Sequence, residues 1–190
     1  MHEVDRRRLL KTGVVLLLLA AAAVGLWLGL RPVDTPEPTG KSDSEAAAAS
    51  GDSAPSFRLP LLDGGGSLSS EDMAGSPYVL NFWATWCGPC RTEMPTFEAA
   101  WQRYRDRGVV VVGVNINDDP EGARDFAREL GVTYPLVVDD NDELATKLGV
   151  RGLPETFFVD SDGNILGSGA TLGIVTEEEL TVTIESMLER

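Results

Sequence analysis

The run Tyr78-Val79-Leu80-Asn81-Phe82-Trp83-Ala84-Thr85-Trp86-Cys87-Gly88-Pro89-Cys90-Arg91 decides how the rest of the chain is read. Its first six residues form a short apolar stretch of the kind that makes a buried strand. Two cysteines follow almost at once, and a helical pattern begins at Pro89. Gly88-Pro89 tightens the turn and presets a helical φ. A thiol at the start of a helix meets free backbone N–H groups and the positive end of the dipole, and both favour negative charge. That lowers its pKa and makes Cys87 the attacking sulfur. Cys90 lies one turn on along the same helix, so it is expected to be more buried and to resolve the mixed disulfide. Disulfide exchange needs both roles.

Composition removes other chemistries. The chain of 190 residues contains two cysteines and one histidine, His2. No second cysteine pair is left for a structural disulfide or a four-cysteine zinc site. No histidine base or ligand is available beyond residue 2. A lone CxxC also fits half a metal site, but it has no second Cys/His pair here, so neither metal nor cofactor is expected. The formal net charge of −14 argues against nucleic acid, which requires a basic stripe. The acid falls in runs, Asp118-Asp119, Asp139-Asp140-Asn141-Asp142-Glu143 and Glu177-Glu178-Glu179, which read as a solvated face. Scarce lysine (Lys11, Lys41 and Lys147) beside plentiful arginine also fits life in high salt or a GC-rich genome.

Four segments are expected. Residues 1–12 form a cytoplasmic N-terminus with Arg6, Arg7, Arg8 and Lys11. Residues 13–30, Gly13 to Leu30, are uncharged and mostly apolar. As a helix they span about 27 Å, close to the ~30 Å hydrocarbon core. The basic residues ahead of the run place its start in the cytoplasm and everything after Leu30 outside. The same arginines resemble a twin-arginine export signal, but no small-x-small cleavage site directly follows, which favours an uncleaved anchor. Residues 31–55 are rich in Pro, Asp, Ala, Ser and Thr and read as a disordered linker. Residues 56–190 carry the folded domain.

Within that domain Phe57 to Leu62 and the turn Asp63 to Ser67 predict a small hairpin. Ser70 caps a short turn through Met73. A helix runs from about Pro89 to Arg107, with a kink expected at Pro95. Val109 to Ile116 is β-branched almost throughout, the mark of a central parallel strand. Asp119-Pro120 opens a helix to about Leu130. Tyr134 to Val138 is a strand, and Asn141 caps a helix to Leu148. Thr156 to Asp160, a turn at Ser161–Asn164, and Ile165 to Gly167 make an antiparallel hairpin. Thr176 with Glu179 forms a capping box for a last helix through Leu188. The alternation implies an α/β fold, a central mixed sheet flanked by helices.

The stretch Asn81 to Arg91 resembles the thioredoxin superfamily, and Val150-Arg151-Gly152-Leu153-Pro154 is a second match. The resemblance implies a thioredoxin-like fold with an N-terminal β-hairpin and a βα insertion at about Asp118 to Asp140. It implies that Pro154 is cis and faces the cysteine pair, and that Leu153 offers its backbone to a substrate strand beside Cys87, with Trp86 alongside. Within the superfamily the chain is similar to the membrane-anchored TlpA, ResA and CcmG (DsbE) group of cytochrome c maturation. The shared features are the anchor, the insertion, Cys90-Arg91-Thr92-Glu93-Met94-Pro95 and Gly152-Leu153-Pro154-Glu155-Thr156-Phe157. The resemblance covers Ala54 to about Arg190. One departure stands out. Cytosolic thioredoxin has a buried aspartate where this chain has Asn81. In the anchored group an acidic residue matching Glu93 lies close to the cysteines, which points to Glu93 as a proton carrier. Glu155 is a second candidate, shaping substrate choice.

The expected activity is that of an extracytoplasmic thiol:disulfide oxidoreductase, a disulfide reductase cycling Cys87 and Cys90 between dithiol and redox-active disulfide. The Gly88-Pro89 spacer matches thioredoxin, whose potential is about −270 mV, and so favours a reducing poise. The resemblance implies an apocytochrome c haem-binding motif as substrate and a membrane electron donor of the CcdA or DsbD type; a monomer is expected. Two alternatives differ in class. A peroxiredoxin-like thiol peroxidase would use Thr85 ahead of the reactive cysteine together with an arginine. A metal or haem carrier would use the CxxC without turnover.

Overall fold

The computed structural model describes residues 53–190. The expected N-terminus, the Gly13–Leu30 anchor and nearly all of the 31–55 linker lie outside the described residues. Among the described residues no helix is long and apolar enough to cross a membrane.

Seven strands and four helices make up this part. The strands are β1 (Arg58–Pro60), β2 (Ser67–Ser69), β3 (Tyr78–Trp83), β4 (Val110–Asn115), β5 (Leu136–Val138), β6 (Glu155–Val159) and β7 (Ile165–Leu172). The helices are α1 (Gly88–Tyr104), α2 (Pro120–Glu129), α3 (Glu143–Leu148) and α4 (Glu177–Leu188). The main sheet runs β5-β4-β3-β6-β7, with β5, β4 and β3 parallel and β6 and β7 antiparallel to their neighbours. This is the mixed sheet of a thioredoxin-like fold. Its middle strand is β3, all six residues of which are buried. The β-branched β4, expected at the centre, is one place off it, covered on both faces all the same.

Alternation along β3 sorts the core. Val79 and Trp83 face the side covered by α1, α2 and α4, where Met94, Phe97, Phe126, Leu180 and Ile184 pack. Tyr78, Leu80 and Phe82 face the side of α3, where Leu144 and Leu148 meet Phe57 and Met73. A period of two on the strand thus serves two layers of helix. Gly113 on β4 is where those layers leave no room. A Cβ there would lie 2.5 Å from Leu136 Cδ2 and 3.0 Å from both Trp83 Nε1 and Tyr134 Cε2.

The β1–β2 hairpin forms as expected and leans on edge strand β5, with Leu62 N–H donating to Leu136 O at 2.8 Å. That covers an edge otherwise open to pairing. Local signals differ from expectation at four points. Ser69, not Ser70, caps the short 3-10 turn Ser70–Met73, in a capping box with Asp72. Helix α1, with Pro95 inside it, stops at Tyr104 and gives way to a 3-10 turn at Arg105–Arg107. β7 continues to Leu172, well past Gly167. Asn141 does not cap α3. Asp139 does, accepting from the N–H groups of Glu143 and Ala145 at 3.0 and 2.9 Å, and it is buried. The chain needs Asp142 in the left-handed region, φ +52, to turn into that helix. The Thr176–Glu179 capping box on α4 is present in full.

Candidate active site

β3 ends at Trp83 and delivers the chain to α1 through the turn Ala84 to Cys87. Cys87 is the N-cap of α1, in extended conformation, and its Sγ accepts from Cys90 N–H at 3.2 Å. The two cysteines are joined to each other, with Cα atoms 5.3 Å apart. Cys87 is 4% exposed and Cys90 fully buried, while Trp86, Gly88 and Pro89 around them are exposed. The order of accessibility is the one expected of an attacking and a resolving sulfur. The sulfur at the cap thus meets the Cys90 N–H of the first turn, a contact of the kind that stabilises a thiolate.

Leu153–Pro154 is a cis peptide bond, just ahead of β6. Leu153 packs against the same apolar cluster as Cys87 and Cys90. The segment Gly173 to Val175 ties this region together. Gly173 N–H donates to Pro154 O at 2.9 Å, and Val175 N–H donates to Glu93 Oε2 at 3.1 Å. Trp86 is turned toward the crossover after β4. It is 63% exposed and its indole N–H donates to Asn117 O at 3.0 Å.

Glu93 is no surface glutamate. It lies one turn beyond Cys90 on α1, 1% exposed, with Oε1 accepting from Asn81 Nδ2 at 2.7 Å. Burial pushes its carboxyl up to about 7, against the smaller pull of the hydrogen bonds from Asn81 and Val175. Asn81, where thioredoxin has an aspartate, therefore serves as a donor to a carboxylate brought from the helix. Its Nδ2 also reaches Thr156 Oγ1 at 3.1 Å, while its Oδ1 has no partner among the described residues. Tyr134 is buried nearby, its hydroxyl pushed upward by burial and then by the charge of Glu93. Glu155 is buried at the start of β6 and accepts from the backbone N–H of Arg151 at 2.6 Å and from its guanidinium at 3.0 Å. It braces the turn that carries Pro154.

Two residues here carry no site signal in the sequence. Asp118 and Asn115 at the end of β4 join the loop before Cys87 to the next crossover. Asp118 reads as half of a solvated acidic pair, but its carboxylate turns inward onto Thr85. Thr85 and Asp118 are 33 residues apart, and no local pattern links them. Asp118 is half-buried, and Asp139, in the next acidic run, is fully buried. Among the described residues no three His, Cys, Asp or Glu side chains are grouped to hold a metal ion.

Comparison with known proteins places this geometry. The AhpC/TSA family model matches residues 50–167. Thiol-disulfide oxidoreductase ResA of Geobacillus thermodenitrificans (strain NG80-2) is 32% identical over 183 residues, 96% of this chain and 97% of its own length. Thiol:disulfide interchange protein DsbE of Escherichia coli (strain K12) is 37% identical over 163 residues, 84% of this chain and 83% of its own. A solved thiol:disulfide interchange protein of the thioredoxin family from Chlorobium tepidum TLS superposes with a TM-score of 0.67 at 28% identity. The match covers 75% of this chain and 99% of that one. With a close cysteine pair at the cap of α1, the chain belongs to the AhpC/TSA family, has its thioredoxin-like domain, and is a thiol–disulfide oxidoreductase of the ResA and DsbE type.

Proposed function

We propose that this oxidoreductase works outside the cytoplasm, held to the membrane by Gly13–Leu30, and reduces protein disulfides such as that of the apocytochrome c haem-binding motif. The observation that carries the reading is the pairing of a nearly buried N-cap Cys87 with a wholly buried Cys90. Its relatives named ResA and DsbE support the same class of chemistry. In the reduced protein the Cys87 thiolate attacks one substrate sulfur. A Cys87–substrate disulfide forms, the substrate S–S bond breaks, and the departing sulfur takes up a proton. The Cys90 thiolate then attacks Cys87 Sγ and expels the second substrate thiol. Two electrons and two protons have left the pair. A membrane dithiol donor of the CcdA or DsbD type restores them.

Glu93 is assigned the proton on Cys90. It sits three residues on along α1, on the same helix face, and a carboxyl poised near 7 can both take and return a proton at neutral pH. Trp86, Leu153 and Pro154 are assigned to the substrate: an exposed indole next to Cys87 in the chain, and the backbone of the cis-proline bend just ahead of β6.

The peroxidase reading finds less support. Thr85 Oγ1 donates to Asp118 and the Arg91 guanidinium faces Glu129 rather than the cysteine pair, and a resolving cysteine three residues on is atypical of that class.

Trapping tests the proposal. Cys90→Ser in the full chain should accumulate mixed disulfides through Cys87 that dithiothreitol releases, and Cys87→Ser should accumulate none. A Cys90→Ser protein that traps no disulfide partner in the cell sinks the reading. Fractionation with protease access from outside tests the address.

A further inference from the structure

The turn ahead of Cys87 is fastened to the crossover after β4 by one carboxylate. Asp118 Oδ2 accepts from Thr85 N–H and Oδ1 from Thr85 Oγ1, both at 2.6 Å. The same carboxylate accepts from Asn115 Nδ2 and from Asp119 N–H, each at 3.0 Å. Beside it the Trp86 indole is bound to Asn117 O, and Asn117 holds φ +50, an unusual conformation for a residue with a side chain. Two successive residues before Cys87 are thus tied to two successive residues of another loop. Cys87 N–H itself closes the turn onto Ala84 O at 3.1 Å.

We propose that Asp118 is a positioning residue for thiol–disulfide exchange: by holding Thr85 it holds the turn Ala84–Cys87, and so keeps Cys87 Sγ at the cap of α1. The reason is mechanical. The thiolate gains its stability from N–H groups that point along the helix axis, and that gain falls off steeply if the sulfur swings away. β3 fixes the turn at one end and α1 at the other. Between them Thr85 has its backbone N–H and its side chain both bound to Asp118. The inference rests on the dithiol chemistry alone, not on the substrate or address proposed above.

Position and charge predict opposite signs, which makes the proposal testable. The charged groups on the elements meeting at the pair are Arg91 and Glu93 on α1, Glu129 through Arg91, Arg151 before β6 and Glu155 at its start, and Asp118 and Asp119. Removing one carboxylate charge lowers the Cys87 thiol pKa, because a like charge is gone. Releasing the turn raises it, because the cap is lost. Asp118→Asn takes the charge but keeps the anchor. Its amide oxygen can accept from Thr85 N–H and Asn115, and its amide nitrogen can donate to Thr85 Oγ1. Asp118→Ala takes both.

The measurement is the rate of Cys87 alkylation by iodoacetamide against pH, read by mass spectrometry on the reduced full-length protein in detergent. Asp118→Ala should raise the apparent Cys87 pKa by about one unit, leaving about tenfold less thiolate below both values. Asp118→Asn should leave it within about half a unit, on the low side. Asp139→Ala, which uncaps α3 away from the cysteines, should not move it. If Asp118→Ala fails to fold, Thr85→Val and Thr85→Ser take its place: valine loses the Oγ1 bond and should shift upward, serine keeps it and should not. A pKa that falls or stays still in Asp118→Ala overturns the proposal. So does an equal shift in Asp118→Asn or in Asp139→Ala.

Discussion

Replacing Glu93 by glutamine should make the protein more stable, and only above a certain pH. Burial raises the Glu93 carboxyl from its ordinary 4.5 to about 7. Between those values the folded state holds a proton that the unfolded chain has already lost. Stability therefore falls as pH rises through the window from about 4.5 to about 7, and it stays lowered above it. A window of some two and a half units at about 1.36 kcal/mol each amounts to roughly 3 kcal/mol. Glutamine has no such window. Near pH 4.5 the two side chains are alike, since a protonated carboxyl and an amide each offer a donor and an acceptor. The acceptor suits Val175 N–H, and the donor suits the unpartnered Oδ1 of Asn81 after its amide turns over. The stabilities there should agree within about 1 kcal/mol. By about pH 8 the Glu93→Gln variant should lead by about 3 kcal/mol. Urea unfolding of the oxidised protein, followed by tryptophan emission at half-unit steps from about pH 4.5 to about pH 8, reads the difference directly. A gap that is flat with pH would show that Glu93 is ionised throughout, and the proton-carrier assignment would fall with it.

Four further outcomes are expected. Gly113→Ala pushes a methyl group into Leu136, Trp83 and Tyr134, and denaturant unfolding should show a loss of about 1–3 kcal/mol. Asp139→Ala leaves two N–H groups at the start of α3 without their acceptor and should cost about 1–3 kcal/mol by the same assay. Trp86→Ala removes an exposed indole with one hydrogen bond, so unfolding should shift by under about 1 kcal/mol. The rate against an oxidised peptide carrying the haem-attachment motif should nonetheless drop several-fold, and an unchanged rate removes Trp86 from the substrate surface. Arg151→Ala strips the guanidinium from buried Glu155. Protection from hydrogen exchange of the amide at position 151, which donates to Glu155 Oε2, should weaken there while that of β3 holds.

Much of this molecule is legible in the chain because its signals are local. A mostly apolar six-residue strand, a CxxC at a helix start and a Thr–x–x–Glu box each carry their signal in a few neighbouring residues, and each stands where it reads. What the sequence hides is long-range. Asp118 and Asp139 look like two more acids on an acidic surface, and only the folded chain brings Thr85 and the α3 amides onto them. Glu93 reads equally well as solvated. Its burial depends on Asn81 and Val175, 12 residues before it and 82 after it. β7 outruns its expected end because Gly167 breaks a local pattern, while pairing of Thr171 and Leu172 with β6 supplies the cross-strand bonds that override it.

The 4% exposure of Cys87 has a further consequence. Exchange requires three sulfurs nearly in line, so an incoming disulfide must bring its own sulfur down onto a Cys87 that shows little of itself to solvent. A disulfide lying flush in a folded protein has no way to make that approach, however favourable the electron transfer. A bond carried on a bare loop or an unfolded strand can. Access of this kind would sort partners by how far their disulfides stand out, before potential enters.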